Sequence, residues 1–313
     1  MEYNYGYTPD YPAIAAYAES LGNAYGDDVA QLVATDDGRD TFLWRPLVYL
    51  LQRCDARIQK RWLYVNGTLV CLRSYNQGQV GSCVGNAEAL DLSVELAVDI
   101  IVGNVPMQFT CMASAESCYA LSREAGNMLG GGDGSYGAAA AKSSTTMGTL
   151  WQQPYGSVDL SEYSVERCRQ WGSRGVPADL KPIAAQTKLL SSYQIKNVDE
   201  AWALIGAGHP LNQCSNLGFA TTRDSDGACK QQGSWGHSMA LIGRRTTASG
   251  RRLFICMNSW GEDWVSGPVY EDQPQGSFGI DYEVVAKAVA QNDMFVKANM
   301  EGIKRRKLDW SQV

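Results

Sequence analysis

The sequence predicts an α+β protein with a helical first half and a β-rich second half. The chain has 313 residues, of which 45% are hydrophobic, so it is long enough for about two lobes with buried cores. In the first half, apolar residues recur at helical spacings of three or four. Beyond about residue 185 they gather in short runs separated by turn residues. The predicted division is an N-terminal extension over 1–62, a helical lobe over 63–185, a β-rich lobe over 186–290 and a tail over 291–313.

The N-terminal extension is acidic and mostly helical in its pattern. Helical spacing covers 13–22 and 42–60, and the acidic loop 35–40 separates the two stretches. In the helical lobe, a helix is predicted to begin at Cys83 and to end before Gly103. Two more helices follow over about 110–126 and 137–147.

The β-rich lobe has a strong hairpin signal. The apolar runs 237–243 and 252–257 flank the turn-forming stretch 246–250. A short helix is predicted before them, over 199–206. In the tail, the basic run 304–307 is expected to be a solvated surface.

Composition argues against several classes of function. Lys plus Arg number 27 and Asp plus Glu number 33, which gives a net charge of −6 and argues against nucleic-acid binding. No apolar stretch approaches the ~20 residues that a membrane span needs. The first residues lack the basic and apolar regions of a signal peptide. Nine scattered cysteines without a CxxC pair predict no disulfide framework, and two histidines argue against a metal site.

Cys83 is the first candidate for chemistry. It follows a glycine-containing loop and begins a predicted helix, where unpaired N–H groups and the helix dipole favour a thiolate. Gln77, in the same loop, is an amide donor. A thiolate beside a backbone N–H and an amide donor is what acyl transfer needs, namely a nucleophile and an oxyanion hole. Position alone leaves the alternative of an ordinary buried cysteine equally open.

His237 and Asn258 form the second candidate. They lie at similar distances from the turn of the predicted hairpin, so antiparallel pairing brings them together at its open end. An asparagine there can accept the ring N–H and fix the tautomer that a general base requires. His209, the other histidine, precedes Pro210 in a loop and is interpreted as structural.

Together these segments resemble the papain-like cysteine peptidases. The chain reads QGQVGSC over 77–83, HSMALIG over 237–243 and NSWG over 258–261, in the family order of glutamine, cysteine, histidine and asparagine. The phrase GSCVGNA is most similar to bacterial and viral members. The resemblance spans roughly 63–290. It implies a papain-like two-lobe fold, with the active-site cleft between a helical lobe and an antiparallel β-rich lobe.

The resemblance also implies a role for each matched residue. Cys83 would be the nucleophile, His237 the base, Asn258 the residue that orients the histidine, and Gln77 an oxyanion donor. Trp260 would cover the histidine–asparagine pair. No metal or organic cofactor is implied.

The glycine-rich stretch around Gly134, Ser135 and Gly137 falls where the family binds the substrate backbone. A flexible surface loop is an equally good interpretation of it. Val80 stands where secreted relatives have a disulfide cysteine, which is consistent with a reducing compartment.

Two functions follow as hypotheses, and another acyl-transfer reaction on the same cysteine and histidine is a third that the sequence does not separate from the first of them. The first is a thiol peptidase acting on a peptide or protein substrate. The second is a structural or assembly protein, for example of a virus particle, that keeps the fold as a binding scaffold and contacts protein partners through 1–62 and 291–313. Neither hypothesis involves a membrane or nucleic acid. The expected location is cytoplasmic or virion-associated.

Overall fold

A computed structural model describes residues 5–103, 105–106 and 108–306. The helices are α1 (Tyr11–Leu21), α2 (Gly26–Ala34), α3 (Trp44–Leu51), α4 (Ala56–Leu63), α5 (Cys83–Ile101), α6 (Ala115–Ala125), α7 (Gly137–Thr146), α8 (Val165–Arg174), α9 (Lys181–Ala184), α10 (Val198–Gly206) and α11 (Tyr282–Val289). The strands are β1 (Thr41–Phe42), β2 (Tyr64–Val65), β3 (Thr68–Leu69), β4 (Pro154–Tyr155), β5 (Val158–Asp159), β6 (Ser191–Gln194), β7 (Leu211–Arg223), β8 (Cys229–Thr246), β9 (Arg252–Met257), β10 (Ser277–Asp281) and β11 (Met294–Ala298).

The second half of the chain builds one antiparallel sheet in the order β10-β9-β8-β7-β11-β6, and β1 pairs with β8 outside this path. The predicted hairpin is present as β8 and β9, with Thr246 opposite Arg252 next to the turn. Helices dominate the first half. The α+β class is therefore confirmed.

Helix α5 is the centre of the core. Nearly all of its residues are buried, because α3 and α6 pack on it from one side and strands β7 and β8 from the other. The predicted start at Cys83 is confirmed. A helix covered on every side needs no polar face, yet α5 carries four carboxylates into the interior.

The N-terminal elements pack on both halves of the molecule. Helix α1 lies against α7 and β6, and α2 lies against α10. The sequence pattern did not indicate α2, and the single helix predicted over 42–60 is divided into α3 and α4. The division occurs because the Asp55 side chain accepts hydrogen bonds from the N–H groups of Arg57 and Ile58 and so caps a new helix.

The C-terminal segment enters the sheet. Strand β11 is hydrogen-bonded between β6 and β7. Beyond it, Arg306 is buried and its guanidinium binds both Glu95 and Asp99 of α5. The expectation of a solvated basic run is therefore wrong at Arg306, because a guanidinium paired with carboxylates can be buried. Lys307, the last residue of that run, lies outside the described residues.

Within the described ranges, no helix is both long enough and apolar enough to cross a membrane. All nine cysteines are unpaired, and Cys83 is among the buried ones.

We predict that Arg306→Ala destabilises the protein by about 3–5 kcal/mol, because it leaves the carboxylates of Glu95 and Asp99 buried without their cation. Urea unfolding measures the change. Arg57→Ala is the matched control, since the Arg57 side chain is almost fully exposed and, among the described residues, its one salt bridge is to Asp55 at 3.8 Å. Its unfolding midpoint should stay close to that of the parent. Equal midpoints for the two variants would contradict the assignment of a structural ion pair to Arg306.

Candidate active site

Cys83 is the first residue of α5 and lies between the helical half and the sheet. Its thiol is buried, and the backbone N–H groups of Ser238, Gly6 and Val84 act on it. Ser238 directly follows His237 in strand β8. The sulfur therefore lies beside the peptide unit that joins His237 to Ser238.

His237 and Asn258 form a buried pair at the open end of the β8–β9 hairpin. The His237 Nε2 atom donates to Asn258 Oδ1 at 2.7 Å, and the same oxygen accepts from the Ser259 N–H at 2.7 Å. Because Nε2 carries the proton, Nδ1 of a neutral ring is a lone-pair acceptor. Nδ1 is buried and has no hydrogen bond to any residue that the structure describes. This is the tautomer that can take a proton from a thiol.

Trp260 covers the His237 ring. The two ring centroids are 4.4 Å apart at an interplanar angle of 33°. Trp235 packs against Trp260 at 5.0 Å, and Trp264 at 5.5 Å. The predicted cover of the histidine by Trp260 thus has a geometric counterpart, in which the indole excludes water from the His237 ring.

Gln77 is buried and connects the Cys83 loop with the Asn258 loop. Its side-chain oxygen accepts from Ser259 Oγ at 2.7 Å, and its backbone N–H donates to the Ser259 carbonyl at 2.9 Å. Its Nε2 atom donates to the Val80 carbonyl at 2.9 Å. These bonds fix the orientation of the Gln77 amide relative to Asn258.

The cleft holds a segment of the chain itself, residues 5–8, which we call the N-terminal strap. The N–H groups of Gly6 and Tyr7 donate to the Gly236 carbonyl at 3.2 and 2.9 Å. Ser135 N–H donates to the Gly6 carbonyl at 2.8 Å, and Thr8 N–H donates to the Ser135 carbonyl at 2.9 Å. The strap is thus bound through its backbone across the top of Cys83.

The glycine-rich residues divide into two groups. Ser135 pairs with the strap, and Gly134 lies so close to it that a Cβ there would approach the Gly6 carbonyl to 2.7 Å. Gly137 instead begins α7 and donates its N–H to Asp293. These residues therefore border a peptide-filled cleft, and their assignment to substrate binding stays a prediction.

Two residues at this site carried no sequence signal that we recognised. Gly236 supplies the carbonyl that holds the strap, and its position just before His237 was the available clue. Asp133 accepts the Gly81 N–H at 2.6 Å and the Tyr119 hydroxyl, and so fixes the loop before Cys83. His209 lies apart from the cleft, where its Nε2 contacts the Lys304 carbonyl at 2.8 Å.

Burial sets the protonation of the site in this closed form. Burial raises the pKa of the Cys83 thiol to about 12. The N–H groups of Ser238, Gly6 and Val84 act in the opposite direction but do not offset it. Burial also lowers the pKa of His237 to about 4, although the hydrogen bond to Asn258 acts in the opposite direction. The thiolate expected from the helix terminus is therefore outweighed here, and both side chains are neutral at pH 7.

We predict that His237 titrates near pH 4 in the intact protein, as followed by NMR of its imidazole protons. Between the ordinary histidine pKa of 6.5 and about 4 the unfolded chain binds the proton first, so the contribution of His237 to stability falls as the pH drops through this window. His237→Gln identifies the signal, because the chain has two histidines. A pKa near 6.5 would mean that water reaches the ring and that the strap does not cover it.

The comparisons with known proteins concern the fold. No protein-family model and no curated protein sequence matches the chain. Among solved structures, it is similar to xylellain, a cysteine protease from Xylella fastidiosa, with 18% identity and a TM-score of 0.52, covering 95% of this chain and 92% of that one. It is also similar to the proform of Amb a 11, a cysteine protease of ragweed pollen, with 15% identity and a TM-score of 0.52, covering 92% of this chain and 75% of that one. The chain has the papain-like cysteine-protease fold.

Proposed function

We propose that the protein is a cysteine peptidase that hydrolyses peptide bonds through a Cys83 acyl-enzyme, and that the N-terminal strap holds it in a latent form. The observation that carries the proposal is the His237–Asn258 hydrogen bond beside Cys83 in a cleft that already holds an extended peptide segment. Nucleophile, base and orienting amide are the parts that acyl transfer requires.

The proposal gives each residue a role. Nδ1 of His237 takes the thiol proton, and the Cys83 sulfur attacks the peptide carbonyl carbon. The Cys83 N–H and the Gln77 amide stabilise the oxyanion. The imidazolium then protonates the leaving amine, and a water molecule, deprotonated by His237, releases the acyl group. Asn258 holds the ring in the required tautomer throughout.

The strap itself is bound as a ligand and not as a substrate. The group that it presents to the Cys83 sulfur is the Gly6 N–H. A sulfur that accepts this N–H lies close to the plane of the Tyr5–Gly6 peptide, away from the perpendicular approach that attack on its carbonyl carbon needs. This contact supports a form in which the chain blocks its own cleft without being cut. Opening the strap returns water to Cys83 and His237, which favours the thiolate–imidazolium pair.

In the open form, the substrate backbone takes the place of the strap. Ser135 offers an N–H and a carbonyl to it, Gly236 offers a carbonyl, and Gly134 leaves room for its approach. Trp260 forms the wall beside His237. The peptide or protein that is cleaved, and a cytoplasmic or virion-associated location, stay predictions from the sequence.

The scaffold hypothesis makes the opposite forecast for the same residues. In that case the closed cleft is the permanent state, and residues 1–62 and 291–313 serve to bind protein partners. The network that holds Gln77, Asn258 and His237 together favours catalysis, because a binding scaffold has no need of a histidine that Asn258 holds in one tautomer.

We predict that Gly6→Val in the full chain opens the cleft. A side chain on Gly6 would overlap the Gly81 carbonyl, so the strap must leave its place while the rest of the fold stays intact. The thiolate fraction of Cys83 should rise about tenfold for each unit by which the thiol pKa falls. Alkylation by iodoacetamide should therefore accelerate, by less than that factor because a thiolate of lower pKa is a weaker nucleophile, and peptide hydrolysis should appear. Gly131→Val is the matched control, because a Cβ there meets nothing within 4 Å; it should behave like the parent.

We also predict how this opened protein responds to a second change. Cys83→Ala should abolish hydrolysis. Gln77→Ala should leave alkylation nearly unchanged but slow turnover on the order of 10²–10³-fold, because an oxyanion donor acts in the transition state. Rapid alkylation of Cys83 without cleavage of any peptide in a library would favour the scaffold hypothesis instead.

A further inference from the structure

The N-terminal strap reads Tyr5-Gly6-Tyr7, and its three side-chain positions meet three different surfaces around Cys83. Tyr7 is 5% exposed and packs into a cluster with Cys83, Val84 and Cys214. Tyr5 is 45% exposed. An internal segment bound in this way indicates what the cleft can accept.

The Tyr7 side chain enters a pocket that ends at a carboxyl group. Asp293 accepts the N–H groups of Gly137 and Ala138 at 2.7 Å each, so both of its oxygens are held at the start of α7. Burial, and then the nearby Asp293 carboxyl, raise the pKa of Tyr7. In the closed form the Tyr7 hydroxyl makes no hydrogen bond of ordinary geometry with any described residue. The pocket therefore presents a buried acceptor to the end of a phenol ring.

This acceptor discriminates between side chains of similar shape. A phenylalanine ring would fill the same apolar pocket, but its terminal C–H group would face the Asp293 carboxyl in place of a hydroxyl. Each Asp293 oxygen accepts one backbone N–H and keeps a further lone pair that faces the pocket. A hydroxyl can donate to it after a small shift, whereas a phenylalanine ring leaves it unused. Tyrosine is thus the aromatic residue that fits this pocket.

The central position accepts no side chain. A Cβ on Gly6 would overlap the backbone carbonyl of Gly81, which is part of the loop that Asp133 fixes ahead of Cys83. The obstacle is backbone and cannot rotate away. Glycine is required at this position wherever a peptide follows the path of the strap.

The third position meets a broad aromatic surface. The Tyr5 ring lies 5.8 Å from Trp260, 6.2 Å from Trp235 and 6.3 Å from His237, measured between centroids. Aromatic pairs at these separations attract one another. Because Tyr5 remains half exposed, this surface favours an aromatic residue without selecting its hydroxyl.

We propose that the cleft recognises peptide segments of the pattern Tyr-Gly-Tyr, with glycine above Cys83 and the second tyrosine in the pocket that Asp293 closes. The strap is the internal copy of this ligand. The inference rests on the proposed function in that it concerns the same cleft, and it names the class of peptide that binds there. Asp293 is the specificity-determining residue.

The test uses the full chain carrying Gly6→Val, in which the strap is displaced, and follows protection of Cys83 from iodoacetamide. Acetyl-Asn-Tyr-Gly-Tyr-Thr-amide should slow alkylation in a saturable way. The same peptide with alanine for glycine should give no protection. Phenylalanine in place of the second tyrosine should weaken binding about five- to tenfold, which is the range for one hydrogen bond. Asp293→Asn should reduce this tyrosine–phenylalanine difference.

Several results would overturn the proposal. The recognition pattern would be wrong if the three peptides protected Cys83 equally. It would also be wrong if Cys83 were alkylated rapidly and the parent peptide gave no protection. An unchanged alkylation rate in Gly6→Val would mean that a side chain fits above Cys83. If Asp293→Asn fails to fold, comparing the tyrosine and phenylalanine peptides on Gly6→Val still decides whether the pocket selects the hydroxyl group. Protection needs no turnover, so a protein that binds this peptide but cleaves no member of a peptide library contradicts the proposed peptidase and leaves the recognition pattern standing.

Discussion

The carboxylates buried on helix α5 are the constraint on which the rest of the structure depends. They lie three or four residues apart and so share one face of the helix: Glu88, Asp91, Glu95 and Asp99. Lys297 reaches the first two, and Arg306 reaches the last two. A buried ion without a partner costs several kcal/mol. Helix α5, and with it the position of Cys83, is therefore available only to a chain whose C-terminal segment has docked.

The same burial acts differently on neighbouring groups. Burial opposes ionisation of Glu95, but Arg306 and His209 outweigh it and hold the pKa of Glu95 at about 2. Asp91 has less compensation, and burial raises its pKa well above the ordinary value. At Cys83 burial also prevails while the strap is in place. Under the proposed function, the same residues would give an inert thiol while the strap is bound and a reactive nucleophile once water returns, because the helix terminus and His237 remain.

The sequence predicts features that depend on local interactions, and it does not predict features that depend on residues far apart in the chain. The α5 helix and the hairpin are local patterns, and the motifs at Cys83, His237 and Asn258 carry specific side chains, so these features were accessible. The strap was not, because backbone groups make its hydrogen bonds and any sequence offers those. Burial of Arg306 was equally hidden, since it depends on carboxylates about 200 positions earlier. Helix α2 lacked a pattern that we recognised.

The proposed latent form requires a strap that is bound closely enough to block the cleft and weakly enough to leave it. Four backbone hydrogen bonds contribute about 2–6 kcal/mol, and burial of the Tyr7 ring adds about 2–3 kcal/mol. Ordering four residues costs about 4–8 kcal/mol.

These opposing terms nearly cancel, so the contacts of helix α1 decide whether the strap stays bound. Helix α1 is held through Ile14 and through Tyr17, whose ring lies 5.4 Å from that of Phe295. Since this anchor is small, local opening of α1 and the strap should need far less free energy than global unfolding. The core built on α5 can then remain folded while the cleft is exposed.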